Sequence, residues 1–412
     1  MFNKHFDIVI IGSGISGLYC AYKILKINPL CKLLVLEKNN KDHIGGRAGN
    51  YNFYGIPVVI GAGIGRKRKD KLLEQLLIDL NMPIVTSITN HNYSPLIIPK
   101  ISVKDIYLKI KNKFLENLPP HQTFKKYVRT ILDEKLYKDF VISAGLSDYE
   151  NEDIYDTIFE YGFDDNYENF EMFSVPWSKL VENLVSKIGS SNIKTNTEVI
   201  SINKEKFQYL INTNNIKYKK ILTNKIIIAT NIECLKKLLP NKIYDNIKGQ
   251  PFIRVYGKFS KSNTEILKKY VKTTTIVKGP LQKITPMNFD KGVFMLAYSD
   301  NKNALYLNKI SKNTKNNREK FCELIEVALG IPLDTLKLIS IKSFFWNIGT
   351  HYYDILNTDK YKDRKDYLKY AQIPEKNILV VGELISMNQG WTQGALESVE
   401  AVLFEKWIKN IK

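Results

Sequence analysis

The chain is poor in the features that would place it outside the ordinary globular proteins. Its 412 residues include only four cysteines, Cys20, Cys31, Cys234 and Cys322, which lie far apart and form no CxxC pair. We therefore expect neither a disulfide framework nor a cysteine-rich zinc site, and we expect Cys20 and Cys31 to pack in the core. No apolar run reaches the roughly 18 residues needed to span a bilayer, and internal repeats are not evident.

We also expect no segment that directs the chain to another compartment. The first apolar strand begins at Phe6, which leaves no room before it for a cleavable signal, and no hydrophobic tail follows the last helical pattern. We predict a soluble, cytoplasmic protein that does not bind membranes. At 44% hydrophobic residues, the chain can bury a sizeable core and would ordinarily divide into about two domains.

Acidic residues are scarce beside basic ones, with 42 of the former, 61 of the latter and a formal net charge of +19. Nucleic acid could bind such a chain, but the basic residues are scattered and are mostly lysine, whereas arginine is favoured for bidentate phosphate recognition. We interpret the run Arg66–Lys71 as the solvated start of a helix. No specific nucleic-acid partner is predicted.

Residues 148–171 are the exception to this charge balance, because carboxylates are dense there and alternate with tyrosines. One interpretation is an exposed, polar segment rich in turns. The other is an electrostatic entrance that draws cations toward a cavity. We favour the first. Helical patterns precede the segment at 103–118 and 123–141.

A glycine-rich turn follows the first strand. Residues 6–11, FDIVII, lead into residues 12–17, GSGISG, and then into LYCAYKIL at helical spacing. Gly12 permits a tight turn, Gly14 lets the backbone approach a pyrophosphate, and Gly17 lets helix and strand pack closely. The amides at the start of the helix favour an anion.

A second short strand, residues 31–36, ends at Glu37, roughly 20 or more residues beyond the glycines. A carboxylate at this place can accept hydrogen bonds from an adenosine ribose, and it argues against a 2′-phosphate. The alternative is a glycine turn that binds nothing. Strand, turn, helix and carboxylate together predict a dinucleotide-binding βαβ unit.

Residues 45–47, GGR, combine two glycines that bring backbone close to a ligand with a guanidinium that can hold phosphate oxygens. The order GxGxxG, Glu, GGR resembles the flavin-dependent amine oxidase superfamily, which includes monoamine and polyamine oxidases and is related to phytoene desaturases and protoporphyrinogen oxidases. Residues 61–63, GAG, resemble the segment that passes the flavin ring in that superfamily. Residues 382–398 resemble its C-terminal flavin signature, and Val199 resembles the position that meets the adenine.

The resemblance covers about residues 6–80, 172–235 and 375–407. It implies an α/β fold with a Rossmann-like FAD-binding domain and a discontinuous, mixed α+β substrate domain. The predicted FAD-binding segments are 1–80, 172–250 and 375–412. The predicted substrate domain has a helical part at 81–171 and a sheet part at 251–374.

Two aromatic side chains sandwich the amine in many members of the superfamily. Trp391 matches one of them, and a large aromatic that caps the last helix is the alternative interpretation. On the simplest alignment His351 replaces the other, although Tyr352 or Tyr353 could serve if the register shifts. His351 is either an acid or base near neutral pH or a hydrogen-bonded core histidine.

The superfamily also places a lysine near flavin N5, and here the match is incomplete. Arg254 lies at the best-matching register, with Lys258 four residues later, and Lys283 is another candidate. Thr350 stands where monoamine oxidases tether the flavin through a cysteine. The resemblance therefore implies FAD that is bound non-covalently.

The resemblance implies an FAD-dependent oxidoreductase, most simply an amine oxidase that transfers a hydride from a small amine to FAD and then to O2, giving imine and H2O2. The alternatives are a desaturase or dehydrogenase of the same superfamily and a flavin-stabilised structural or interaction protein without turnover. The candidate catalytic residues are Trp391, His351, Arg254 and Lys283. The candidate cofactor-binding residues are Gly12, Ser13, Gly14, Ile15, Ser16, Gly17, Glu37, Lys38, Gly45, Gly46, Arg47, Gly61, Ala62, Gly63, Val199, Gly382, Glu383, Thr392 and Ala395.

Overall fold

The computed structural model describes residues 4–409, which form two large β-sheets, two small sheets and the helices around them. The strands are β1 (Lys4–Ile11), β2 (Leu33–Leu36), β3 (Asn50–Phe53), β4 (Ile56–Val59), β5 (Gly65–Arg66), β6 (Val85–Ile88), β7 (His91–Tyr93), β8 (Glu171–Ser174), β9 (Ile193–Lys194), β10 (Val199–Glu205), β11 (Gln208–Thr213), β12 (Lys220–Ile228), β13 (Ile247–Phe259), β14 (Thr274–Ile276), β15 (Lys283–Asn288), β16 (Val293–Asp300), β17 (Leu338–Tyr353) and β18 (Ile378–Val380). The helices are α1 (Ile15–Ile27), α2 (Lys71–Asp79), α3 (Val103–Asn117), α4 (Phe124–Val128), α5 (Glu134–Ala144), α6 (Ile154–Phe159), α7 (Trp177–Ile188), α8 (Ile232–Leu238), α9 (Lys261–Tyr270), α10 (Asn301–Lys309), α11 (Lys315–Leu329), α12 (Arg364–Gln372), α13 (Thr392–Glu400) and α14 (Glu405–Lys409). The outermost residues of the first and last predicted segments, 1–3 and 410–412, lie outside the described part.

The larger sheet is Rossmann-like. Its strand order is β10-β11-β12-β1-β2-β9, and β18 pairs in parallel with the end of β12. β1 pairs in parallel with both β12 and β2. Ile8 and Ile10 pack in the core that contains α1, α7 and α13, whereas Val9 and Ile11 pack in the core that contains α8 and α12. The strand is buried on both faces because side chains alternate along it and helices cover both sides of the sheet.

The second sheet has the order β17-β13-β16-β15-β14-β7. Its two longest strands, β13 and β17, pair antiparallel from Ile247 opposite Tyr353 to Phe259 opposite Leu338. The sheet packs against α9, α10 and α11. Ile247 and Tyr353, at one end of the long pair, pack in a core of the first sheet. The strand pair therefore joins the two sheets and carries residues 349–353 to the first sheet.

Helices α3 to α6 form a separate small core. The sequence pattern at 123–141 extends over two helices, α4 and α5, rather than one. Asp133 begins a new helix, because its side chain accepts a hydrogen bond from the Leu136 amide at 2.8 Å and so caps the N-terminus of α5. The predicted helical character is confirmed, and the break reflects capping chemistry inside an otherwise helical pattern.

The structure also addresses the predictions about cysteine burial and membrane-spanning helices. Cys20 and Cys31 are buried in the core, as predicted, and all four cysteines are unpaired. Across residues 4–409, we find no helix that combines the length and the apolar character needed to cross a bilayer.

Candidate functional site

The turn between β1 and α1 combines two tightly packed glycines with an open one. Gly12 has a φ of +105°, and a Cβ atom there would lie 2.3 Å from the carbonyl oxygen of Ala229. A Cβ at Gly17 would lie 2.1 Å from the carbonyl oxygen of Gly12. At Gly14, by contrast, a Cβ would meet nothing within 4 Å, and no side chain caps the helix that follows. Open space beside uncapped helix amides fits the pyrophosphate of a dinucleotide.

Glu37 lies against this turn. Its Oε2 accepts hydrogen bonds from the amide and the hydroxyl of Ser13 at 3.2 and 2.7 Å, and its Oε1 accepts one from the Asn39 amide at 2.9 Å. Lys38 is exposed, and Val199, at the start of β10, is buried. The fold therefore holds the predicted ribose carboxylate beside the glycine turn.

The GGR segment approaches the same turn. Gly45 and Gly46 have φ values of +97° and +61°, and the Gly45 amide donates to the Ser13 carbonyl at 2.8 Å. Arg47 then leaves the turn and donates to the carbonyl of Gly349 at 2.5 Å and to Glu383 Oε2 at 3.2 Å. The arginine thus links the first predicted flavin segment to the last.

Glu383 is the centre of this hydrogen-bond network. Its Oε1 accepts from the amides of His351 and Gly390, both at 2.8 Å, and its Oε2 accepts from His351 Nδ1 at 2.7 Å and from Arg47. Burial alone would raise the pKa of the carboxyl, but His351 and Arg47 lower it to about 2. The side chain is therefore an anion held in place by four donors.

His351 contributes to this network with both ring nitrogens. Nδ1 faces Glu383, and Nε2 accepts a hydrogen bond from the Ile232 amide, the first residue of α8, at 3.4 Å. The imidazole is buried. Of the two interpretations that the sequence left open, this geometry supports the hydrogen-bonded core histidine.

Arg254 meets the GAG segment from the second sheet. Its Nε donates to the Gly61 carbonyl at 3.1 Å, and a Cβ at Gly63 would lie 3.2 Å from its Nη2. The Ala62 amide donates to the Arg47 carbonyl at 2.9 Å. The guanidinium also lies 3.9 Å from the centre of the Tyr298 ring. The Arg254 guanidinium therefore contacts residues 61–63, the segment that the resemblance places beside the flavin ring.

The C-terminal motif places the start of α13 close to this network. No side chain caps the helix at Trp391, and no acidic residue lies in its first turn, which contains Thr392 and Ala395. A Cβ at Gly394 would lie 2.0 Å from the Asn388 carbonyl oxygen, so only glycine fits there. Gly382 has a φ of +135° and donates its amide to Ser398 Oγ at 2.8 Å. The uncapped amides are suited to an electron-rich group.

Trp391 stacks on Arg66, whose guanidinium carbon lies 3.6 Å from the centre of the indole. Arg66 is buried and pairs with Asp70 at 2.7 Å and Asp165 at 2.8 Å. The prediction that residue 66 belongs to a solvated run is wrong, because two carboxylates and an aromatic ring compensate the buried charge. One face of Trp391 is covered, so a substrate could contact the other face only.

Lys283, at the start of β15, is half-buried in a polar cluster with Asp148 and Asp300. Among the described residues, its ammonium makes no hydrogen bond or ion pair, and it lies 6.0 Å from the same Tyr298 ring that Arg254 covers. Burial lowers the pKa of Lys283 to about 8, although the carboxylates of Asp148 and Asp300 oppose the shift. Burial and Asp300 raise the pKa of Asp148 to about 7.

A cavity next to this cluster is lined by Asp148, Glu152, Glu160, Gln250 and His351, and it borders Gly390. The favoured prediction for residues 148–171, an exposed polar segment, is wrong for part of it. Glu152 is 7% exposed, Asp153 0% and Asp156 6%. The segment folds inward because the aromatic side chains between the carboxylates pack in the core of α3 to α6.

Sequence reasoning missed the residues that connect these groups. Tyr298 pairs with Arg254 across β13 and β16, and Gln250 pairs with Thr350 across β13 and β17. Asp300 holds the backbone amide of Ser147 at 2.6 Å. None of these residues belongs to a motif, so only strand register reveals them.

Comparison with known proteins identifies solved structures of similar fold. The family model of the NAD(P)-binding Rossmann-like domain matches residues 10–78. A double mutant of putrescine oxidase superposes with a TM-score of 0.75 at 13% identity, covering 98% of this chain and all of that one. Cyclohexylamine oxidase from Brevibacterium oxydans IH-35A gives 0.72 at 14% identity, covering 98% of each chain. A protein described as a protoporphyrinogen oxidase, from Exiguobacterium sp. 255-15, gives 0.68 at 14% identity, covering 98% and 99%.

No curated protein matches the chain by sequence. The structural matches extend over nearly the whole chain, so they concern both sheets and not the dinucleotide unit alone. The chain therefore has the fold of the flavin amine-oxidase-like superfamily, and the α/β prediction with a Rossmann-like domain is confirmed.

Proposed function

We propose that the protein is an FAD-dependent oxidoreductase that oxidises an amine, with O2 as the final acceptor and with FAD bound non-covalently. The observation that carries this proposal is the cavity described above. Three of its lining residues are carboxylates and none is lysine or arginine, although basic residues outnumber acidic ones in the chain. Such a cavity suits a cationic substrate.

The residues on the dinucleotide side fit FAD. The open turn at Gly14 and the uncapped start of α1 would hold the pyrophosphate, Glu37 would hold the ribose, and Val199 would meet the adenine. Arg254 and the segment at Gly61 would border the ring. When bound, FAD supplies the redox chemistry: it accepts a hydride from the carbon next to the amine nitrogen and passes both electrons to O2, yielding imine and H2O2.

The protein's own task is to bind, orient and deprotonate the substrate. An amine enters mainly as an ammonium ion, which must lose a proton before hydride leaves the neighbouring carbon. In this proposal Lys283 accepts that proton, because its ammonium has no hydrogen-bond or ion-pair partner within residues 4–409 and its pKa is lowered to about 8. Asp148, which lines the cavity and interacts electrostatically with Lys283, would pair with the incoming cation.

This assignment gives an expected pH dependence. Because the neutral form of Lys283 increases as pH rises through about 8, kcat/KM of the wild type is expected to rise over the same range. Lys283→Met is expected to lose this limb and to reduce kcat/KM about 100-fold, within the usual range for an acid–base group. Lys283→Arg, which keeps the charge but does not deprotonate, serves as the matched variant. An unchanged pH profile in Lys283→Met would remove Lys283 from the mechanism.

The direct test of function uses the purified, flavin-loaded protein under anaerobic conditions. We expect mono- and diamines to bleach the oxidised flavin band, air to restore it with release of H2O2, and acid precipitation to leave the flavin in solution. A band that stays unbleached with every amine would contradict amine oxidation. A chromophore that precipitates with the polypeptide would contradict non-covalent binding.

A second candidate is oxidation of a tetrapyrrole, favoured only by the structural match to the protein described as a protoporphyrinogen oxidase. The cavity disfavours it, since protoporphyrinogen carries carboxylates and no lysine or arginine among the lining residues could pair with them. Bleaching by protoporphyrinogen, but not by amines, would reverse this choice.

A further inference from the structure

Asp300, the last residue of β16, is fully buried and accepts hydrogen bonds from two separate segments. Its Oδ2 accepts from the Ser147 amide at 2.6 Å, and its Oδ1 accepts from the Ser147 hydroxyl at 3.0 Å and from Gln282 Nε2 at 2.8 Å. The Asn301 side-chain amide donates to the Ser147 hydroxyl oxygen at 3.2 Å, which leaves the hydroxyl hydrogen for Asp300. Burial raises the pKa of Asp300, and these donors oppose the shift. An ionised carboxylate, which only accepts, suits all three contacts.

The two segments that Asp300 holds each lead directly into a residue of the proposed proton transfer. Ser147 precedes Asp148, and Gln282 precedes Lys283. The Asp300 amide also donates to Gln282 Oε1 at 2.8 Å, so both the backbone and the side chain of Asp300 bind Gln282. A single residue therefore fixes the chain immediately before Asp148 and immediately before Lys283.

The backbone at Gln282 depends on this support. Its φ is +54°, in the left-handed region that residues other than glycine rarely adopt. Strained backbone of this kind persists only where the surrounding structure holds it in place. Loss of the contacts with Asp300 would let residue 282 relax and would change the direction in which the Lys283 side chain leaves the strand.

The turn at residues 145–148 connects Lys283 to the cavity wall. Gly145 has a φ of +78°, and a Cβ atom there would lie 2.7 Å from Lys283 Cε. At the other end of the turn, the side-chain amide of Gln250 donates to the Asp148 carbonyl oxygen and to Thr350 Oγ1, both at 3.2 Å. Asp148, Gln250 and Thr350 all line the cavity. A displacement of the turn would therefore reach both Lys283 and the cavity.

We propose that Asp300 is a positioning residue for proton transfer, whose carboxylate holds Asp148 and Lys283 in register by binding the residue that precedes each of them. The inference rests on the proposed function. In that step an N–H bond of the substrate ammonium breaks and a new N–H bond forms at Lys283 Nζ, while Asp148 pairs with the cation. Asp300 is not among the described residues that line the cavity, so it acts through its neighbours.

Asp300 also acts on Lys283 through its charge. The charged or titratable groups that face Lys283 are Asp148, Asp300, Arg254, Tyr298 and His91. The two carboxylates favour the charged ammonium, whereas burial and the guanidinium oppose it. Asp300→Asn removes one of the two negative charges, so the pKa of Lys283 should fall below about 8.

The first readout follows protonation of Lys283 without turnover. The flavin-loaded protein is labelled with acetic anhydride between about pH 6 and 10, and mass spectrometry measures acetylation of Lys283, which is half-buried and reacts as the neutral amine. We expect a midpoint near pH 8 in the wild type and one at least about 0.5 pH unit lower in Asp300→Asn. Asp245→Asn, at an exposed pair with Lys236, is the matched control and should leave the midpoint unchanged.

The second readout is the pH profile of kcat/KM with an amine that bleaches the flavin. Asp300→Asn is expected to lower the plateau above the rising limb about tenfold, because Asp148 and Lys283 lose their register. The limb should move to lower pH together with the labelling midpoint. Ser147→Ala removes the hydroxyl contact but keeps the charge of Asp300, so it should lower the plateau less and leave the limb near pH 8. This variant also tests positioning if Asp300→Asn does not fold.

The outcomes separate this inference from the proposed function. An unshifted labelling midpoint in Asp300→Asn, or a wild-type plateau in both variants, would overturn the positioning inference even if amines bleach the flavin. A lower plateau in Asp300→Asn with the limb still near pH 8 would show a purely structural role and would also overturn it. A shifted midpoint in a protein whose flavin no amine bleaches would support the link between Asp300 and Lys283 and contradict amine oxidation.

Discussion

Replacing Glu383 by glutamine is expected to lower the free energy of unfolding at pH 7 by about 3–5 kcal/mol, the range for removing one partner of a buried ion pair. Glu383 accepts from two amides, from His351 Nδ1 and from Arg47. A glutamine amide would turn its NH2 group toward donors and leave Arg47 without its carboxylate. Denaturant unfolding, followed by tryptophan fluorescence, measures the change.

The control for this substitution is Glu319→Gln, at an exposed pair with Lys315 on α11, which should change stability by less than about 0.5 kcal/mol. We also expect Glu383→Gln to bind FAD more weakly, because Arg47 and Gly390 would lose their common anchor. A loss of less than 1 kcal/mol would show that the network is not structural.

The lowered pKa of Glu383 predicts how the free energy of unfolding changes in acid. Its pKa is lowered from 4.5 to about 2, so its ionised form stabilises the fold above about pH 4.5, and this contribution is lost as pH falls toward 2. Asp148 acts in the opposite direction between about pH 4 and 7 because its pKa is raised. The difference between wild type and Glu383→Gln at each pH isolates the Glu383 contribution.

The second large effect concerns the glycine turn, where alanine at Gly17 and alanine at Gly14 should have different effects on stability. Gly17→Ala places a Cβ 2.1 Å from a backbone oxygen, so β1 and α1 must separate. We expect a loss of about 3 kcal/mol, at the upper end of the usual cost of overpacking, together with loss of bound FAD. Thermal unfolding and the flavin absorbance measure both effects.

Gly14→Ala is the matched variant. Gly14 has a φ of −65°, which alanine adopts without strain, and its Cβ would meet nothing within 4 Å. We expect the apoprotein to keep its unfolding temperature while the affinity for FAD falls at least about tenfold, since the methyl group would occupy the space assigned to the pyrophosphate. Unchanged FAD affinity would move the dinucleotide away from this turn.

Local patterns were sufficient to predict the strand, the glycine turn and the helix of the Rossmann-like unit. Strand, glycine turn and helix near Gly12 require only the period of the apolar residues and the conformational freedom of glycine, both of which are visible in sequence. The prediction that residues 148–171 are exposed failed for a different reason. Carboxylate density indicates solvent exposure when partners are unknown, but Asp156 is buried against Arg364, which is 208 positions away.

His351 shows the same limit. Its identity left an acid–base role and a core role open, and only the approach of β17 to Glu383 and to the start of α8 revealed that both nitrogens are hydrogen-bonded. Lys283 and Asp148 belong to no shared motif either, and they meet because β15 and the turn after α5 pack together.

Short-range chemistry along the chain was therefore sufficient for the Rossmann-like unit, the segments that resemble flavin-binding motifs and the class of fold. The tertiary structure alone decided which carboxylates have ion pairs, which cations lack them and where the cavity lies. The physical reason is range: turns, caps and strand periodicity depend on neighbours in sequence, whereas the charge state and partners of a buried side chain depend on groups brought together from distant segments.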